Sequence, residues 1–177
     1  MRIVIIGGTG NIGTALLRQL RAADENHEVH VVARRRPAQL VGDLRDVHMH
    51  SVDVASDDVR PLAEADAVVH LGWLFQPSHQ PDITWDNNVV GTSRLLGCLR
   101  PGRASILVVA SSIAAYSPVS NHRKVNESWS THGASSAAYS REKAYVERLL
   151  DAFEGDHEDV RVVRVRPAFV FQRGSAA

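Results

Sequence analysis

Apolar residues recur along this chain in two alternating rhythms. Short runs rich in β-branched and other apolar residues lie at 2–6, 28–33, 47–51, 66–71, 105–111 and 160–166. Between them, residues 11–23, 57–64, 82–100 and 136–154 carry apolar positions three and four apart. The first rhythm predicts strands and the second predicts amphipathic helices. Their alternation predicts right-handed βαβ units, hence an α/β protein with a three-layer, doubly wound parallel sheet covered on both faces. The expected strand order is 3-2-1-4-5-6, with a ligand crevice at the carboxyl ends of the strands. The longest loop runs from Tyr116 to about Ser135 and separates the fifth strand from the last helix. A loop of that length over a crevice is usually functional.

The first strand ends in Gly7-Gly8-Thr9-Gly10-Asn11-Ile12-Gly13, and Ile12, Ala15, Leu16 and Leu20 then share one helix face. Strand, glycine turn and helix in this order form the first unit of the Rossmann dinucleotide-binding fold. The glycines let the backbone approach a pyrophosphate, and the helix start offers it free N–H groups and a positive dipole end. The spacing reads as Gly7/Gly10/Gly13 or as Gly8/Gly10/Gly13, and either fits. An acid that grips the ribose 2′-OH is expected about twenty residues beyond the last glycine. That position is Ala33, followed by Arg34 and Arg35. Without the carboxylate a 2′-phosphate is not repelled, and Arg can clamp it. This predicts NADP in preference to NAD.

Tyr139 and Lys143 lie four residues apart, which on a helix puts both on one face. An ammonium beside a phenol favours the phenolate and suits the pair to proton transfer. The chain has twenty basic residues but only two lysines, Lys124 and Lys143, so this one is conspicuous.

Composition narrows the reading further. Net charge is zero and the one basic cluster is Arg34-Arg35-Arg36, so no nucleic-acid partner is expected. No apolar stretch is long enough to span a membrane. The single cysteine, Cys98, suits a reducing compartment and a cytoplasmic location, and reads as a buried small hydrophobe. Nine histidines raise the question of a metal. His48 and His50 share a strand face, but no cysteine or third histidine stands at a ligand spacing, so no metal site is predicted.

Taken together, the motifs resemble the extended short-chain dehydrogenase/reductase family, also called the NAD-dependent epimerase/dehydratase family. The resemblance runs from Met1 to about Gln172. It rests on the glycine motif, on Asp53-Val54, on His70-Leu71-Gly72, on Asn88-Val89-Val90-Gly91-Thr92, on Ser111-Ser112-Ile113-Ala114-Ala115-Tyr116 and on Arg166-Pro167-Ala168-Phe169-Val170-Phe171. It implies an NAD(P)-dependent oxidoreductase or epimerase/dehydratase that transfers a hydride at a hydroxyl or carbonyl carbon. Ser112, Tyr139 and Lys143 are the implied catalytic set. Ser112 is chosen over Ser111 because the family's serine stands four residues before a tyrosine. Gly7, Gly10, Asn11, Ile12, Gly13, Asp53, Val54, Leu71, Gly72, Asn88 and Pro167 are implied cofactor contacts, with Tyr139 and Lys143. Arg34 and Arg35 join them on the charge argument above. A small-molecule carbonyl or hydroxyl substrate is expected, and relatives often form homodimers through the helices at 82–100 and 136–154.

Family members usually continue for another hundred residues or more, which build most of the substrate pocket. Residues 1–177 therefore read as the dinucleotide-binding domain, with 168–177 the start of a substrate subdomain that is mostly missing. The alternative is a non-catalytic NADP-binding sensor, or a fragment that binds cofactor without turning substrate over.

Overall fold

The computed structural model describes residues 1–23, 25–36, 46–77, 79–99, 103–120 and 124–171. Six strands form one parallel sheet: β1 (Arg2–Ile6), β2 (Glu28–Ala33), β3 (His48–Ser51), β4 (Ala67–His70), β5 (Ile106–Ala110) and β6 (Arg161–Val165), in the order β3-β2-β1-β4-β5-β6. This is the expected 3-2-1-4-5-6 order of a Rossmann fold. Central β1 is Arg-Ile-Val-Ile-Ile because both its faces are covered, so no polar alternation is allowed.

Alternate residues of β1 enter two cores. Ile3 and Ile5 pack with Val31, Ala67 and Leu17 of α1 (Asn11–Ala22). Val4 and Ile6 join the larger core, which takes Leu95 and Leu96 from α3 (Gly91–Cys98) and Val146, Leu150 and Phe153 from α4 (Ala138–Asp156). Cys98 is half-buried against this second core. The two-sided cover is complete over β1. Over β5 it is uneven: Leu107 and Val109 are buried on the α4 side, while Ile106 and Val108 are only half-buried on the other.

Two predicted helices differ in detail. The stretch expected at 57–64 is only a five-residue 3-10 turn, Arg60–Glu64. Acidic side chains take the nearby backbone N–H groups: Asp57 accepts from Asp53 N–H at 2.7 Å and Asp58 from Arg60 N–H at 3.0 Å. Such local bonds compete with helix formation. The helix expected at 82–100 comprises α2 (Pro81–Trp85), a π-helical turn Asp86–Val90, and α3. The Tyr116–Ser135 loop is pinned where it is described. Ser117 N–H donates to Ser130 C=O at 2.8 Å, and Arg148 donates to Thr131 Oγ1 at 2.6 Å. No described helix is long and apolar enough to cross a membrane.

Candidate active site

The carboxyl ends of the strands border two adjoining hollows. One of about 230 Å³ is lined by the glycine turn, Arg34, Val54, Gly72 and Asn88. The other, of about 790 Å³, is lined by the same turn together with Ser112, Tyr139, Lys143, Trp73 and Pro167. Gly7, Gly10, Leu71 and Trp73 border both, so the two make one elongated crevice.

The glycine turn is a backbone construction. Gly7 has φ +78°, and a Cβ there would stand 2.7 Å from Gly72 N, on the next strand's exit. A Cβ on Gly13 would meet Gly8 backbone atoms at 2.5 Å. Only glycine lets α1 start so close to the strand end, with Gly10 as its N-cap. No acid stands in the first turn of α1 to compete for its free N–H groups, which suits an incoming pyrophosphate.

The other half is built by side chains from separate segments. Tyr139 stands at the start of α4, its ring stacked on Phe75 at 5.5 Å and edge-on to Trp73 at 5.7 Å. One turn along, Lys143 donates to Ala110 C=O at 2.7 Å, and its Nζ sits 3.3 Å over the Trp73 ring. Burial pushes the Lys143 ammonium down to about 7, against the opposing pull of Glu147 and Glu142. Lys143 can therefore change charge near neutral pH. Ser112 caps the turn after β5, its Oγ accepting from Ala114 N–H at 3.1 Å. That bond uses an oxygen lone pair and leaves the hydroxyl hydrogen for a ligand.

Buried acids hold these groups in place. Glu147 accepts from Ser111 Oγ at 2.5 Å and from Arg166 at 2.8 and 2.9 Å, with Arg164 at 3.3 Å. Burial alone would raise the Glu147 carboxyl. The Arg166 and Ser111 hydrogen bonds and the two arginine charges more than reverse that and hold it below its ordinary value. The bond to Glu147 in turn raises Arg166 above the usual guanidinium range. Asn88 donates to Glu142 Oε2 at 2.7 Å and brackets Leu74 backbone at 2.7 and 2.8 Å. This fixes the strand-four exit that carries Trp73. Behind it His70 is neutral, pushed down to about 4 by full burial and then by the Lys143 charge. Its Nε2 lies 2.9 Å from Thr92 Oγ1, whose hydrogen goes to Asn88 C=O at 2.5 Å, so His70 donates there from Nε2.

Of the residues named from sequence, Gly7, Gly10, Asn11, Ile12, Gly13, Leu71, Ser112, Tyr139, Lys143 and Pro167 line the larger hollow. Arg34, Val54, Gly72 and Asn88 line the smaller one. Two stand apart. Arg35 is exposed and borders neither hollow, and Asp53 turns its Oδ1 to Ala55 N–H at 2.9 Å. Gln172 and the rest of 172–177 lie outside the described residues. Sequence reasoning did not single out Glu142 and Glu147. The available signal was spacing, since Glu147 stands one helical turn beyond Lys143 on the Tyr139 face.

Comparison with known proteins fits this geometry. A family model described as the NAD dependent epimerase/dehydratase family matches residues 3–175. The chain is 26% identical over 97% of its length to the decarboxylating sterol-4-alpha-carboxylate 3-dehydrogenase of Saccharomyces cerevisiae, and spans 52% of that protein. It is 32% identical over 67% of its length to UDP-glucose 4-epimerase 4 of Oryza sativa, and spans 36% of it. A UDP-glucuronic acid 4-epimerase from Bacillus cereus, solved in complex with NAD, superposes with a TM-score of 0.78 at 20% identity, covering 95% of this chain and 56% of its own. The chain thus spans about half, or less, of the relatives it matches. With the sheet order, the glycine turn and a match over nearly its whole length, the chain belongs to the NAD dependent epimerase/dehydratase family.

Proposed function

We propose that this chain binds a nicotinamide dinucleotide along the crevice and serves hydride transfer at a hydroxyl or carbonyl carbon. One observation carries the reading. The glycine turn and the Ser112, Tyr139 and Lys143 side chains line a single hollow of about 790 Å³. When bound, the cofactor supplies the hydride acceptor or donor. The chain supplies the rest. Ser112 donates its hydroxyl hydrogen to the substrate oxygen and fixes its direction. Tyr139 takes the proton from that oxygen on oxidation and returns it on reduction. Lys143, able to change charge near pH 7, sets the charge beside the phenol and exchanges protons with solvent. Trp73 and Phe75 pack against the Tyr139 ring and hold its orientation. Phe75, Ile113, Phe169 and Val170 border this end, a lining suited to an apolar carbonyl compound.

The family description and the NAD complex of the Bacillus cereus neighbour favour NAD. Arg34 at the adenosine end adds tolerance for the 2′-phosphate of NADP. The sequence expectation of NADP over NAD thus gives way to NAD with NADP accepted. Exposed Trp85 and Tyr145, paired edge-on across α2 and α4 at 4.9 Å, support a homodimer through those helices.

Calorimetry with NAD and NADP, then a screen of ketones and alcohols against UDP-glucose, tests the proposal. Tyr139→Phe is expected to weaken dinucleotide binding by at most about tenfold, the loss of one hydrogen bond, while lowering turnover by about 100-fold or more. Unchanged turnover would remove the proton relay. The specific competitor is cofactor binding without turnover, favoured by the open floor where Phe169 and Phe171 are 90% and 87% exposed. Tight dinucleotide binding with no turnover of any substrate class would select it.

A further inference from the structure

The sheet edge formed by β2 and β3, outside the crevice lining, brings together four chemistry-bearing side chains. Glu28 and His30 alternate on β2, and His48 and His50 alternate on β3. The parallel register sets His30 beside His48, so all four share one face at the sheet edge. In the sequence, His48 and His50 lack a third ligand because it lies on the neighbouring strand.

The geometry is close to a ligand set. One ligand atom each from Glu28, His30 and His48 can be chosen so that all three lie within 4.8 Å of one another. Metal bonds of about 2.0–2.2 Å separate tetrahedral ligand atoms by roughly 3.4 Å, so closing the set requires the exposed His48 ring, stacked on His30 at 4.7 Å, to turn its nitrogen toward the ion. His30 is buried and held from both sides: Nε2 lies 2.8 Å from Glu28 Oε1, and Nδ1 lies 2.8 Å from His50 Nε2. An imidazole that points one nitrogen at the other ligands and gives its second N–H to a fixed acceptor has the usual orientation of a metal-bound histidine. Glu28 and His48 are exposed, so the cluster is open to solvent on one side. None of the four lines the crevice.

We propose that Glu28, His30 and His48 bind a divalent transition-metal ion, with Zn²⁺ the best fit, and that His50 holds His30 in the ligating tautomer. Two imidazoles and one carboxylate suit Zn²⁺, Co²⁺ or Ni²⁺ and not Mg²⁺ or Ca²⁺, which want oxygen. Binding puts the ion in place of the His30 Nε2–Glu28 hydrogen bond, leaves the Nδ1 side of the ring bonded to His50, and ties the four-residue edge strand β3 to β2. The Arg2 guanidinium, on the strand position beside Glu28, repels the ion and limits affinity to roughly the micromolar range.

Calorimetric titration with ZnCl₂, and with CoCl₂ followed by absorbance, tests this. One equivalent is expected to bind and to raise the melting temperature. His48→Ala and Glu28→Gln, both at exposed positions, are each expected to weaken binding about tenfold or more. His79→Ala, at an exposed histidine outside the cluster, is expected to change nothing, and NAD affinity is expected to be the same in all three. No binding at roughly 100 µM Zn²⁺ would overturn the proposal. So would binding that survives both His48→Ala and Glu28→Gln.

Discussion

The two halves of the crevice are made in opposite ways. The glycine half comes from one contiguous stretch, residues 7–13, and works through backbone N–H groups and the absence of side chains. The Tyr139 half comes from β4, β5, α4 and β6 exits and works through side chains that buried ion pairs and hydrogen bonds hold in place. The first half should therefore fail by steric intrusion at one position. The second should fail by loss of electrostatic support from a distance.

The largest expected effect lies in the glycine half. Gly13→Val places carbon atoms within 2.5 Å of Gly8 backbone, which has no flexible end to give way. Dinucleotide binding is expected to fall beyond calorimetric detection, at least 100-fold, with a melting-temperature loss from overpacking. Retained affinity would show that the turn is not where the pyrophosphate sits.

The matching test of the other half is Arg166→Met. Removing one partner of a buried ion pair typically destabilises by about 3–5 kcal/mol. Arg164 still faces Glu147 at 3.3 Å, so about 2–3 kcal/mol is expected in urea unfolding. Glu147→Gln should lose less, since a neutral amide can still accept from Ser111. If Arg166→Met unfolds like wild type, the network does not support the site.

The contrast between halves also explains what could be read in the sequence. The six strands and the glycine turn were legible because each is a local pattern: apolar runs for a sheet covered on both faces, and glycines at fixed intervals before an amphipathic helix. Tyr139 and Lys143 were legible because helical spacing is local too. The supporting acids were not. Glu142 and Glu147 look like solvated helix residues until Asn88, Thr84 and Arg166 arrive from other segments. Ser111 and Ser112 are adjacent and both line the larger hollow, yet the Ser111 hydroxyl hydrogen goes to Glu147 while Ser112 Oγ only accepts, from Ala114 N–H. Asp53 and Arg35 stand at the intervals that the sequence suggests for cofactor contacts, yet neither lines the two hollows, because interval alone does not aim a side chain.

A smaller effect is expected from pH. Burial pushes Lys143 down to about 7 in the folded chain, against 10.5 for an ordinary lysine. Between these values the unfolded chain binds more protons, so stability should rise with pH from about 7 to 10.5. Lys143→Met should flatten that rise in urea unfolding at several pH values, and an unchanged slope would mean the amine is not buried.

The smallest expected effect is on cofactor choice. Arg34→Ala should weaken NADP about tenfold, near 1.4 kcal/mol, and leave NAD within about twofold. Equal losses for both would place Arg34 in general binding.

The most direct test joins the two halves in one experiment: an experimental structure of this chain with NAD bound. Pyrophosphate over Gly10 to Gly13, with the nicotinamide ribose within hydrogen-bond reach of Tyr139 and Lys143, is the predicted result. A dinucleotide seated away from the glycine turn, or with its nicotinamide far from Tyr139 and Lys143, would contradict the account.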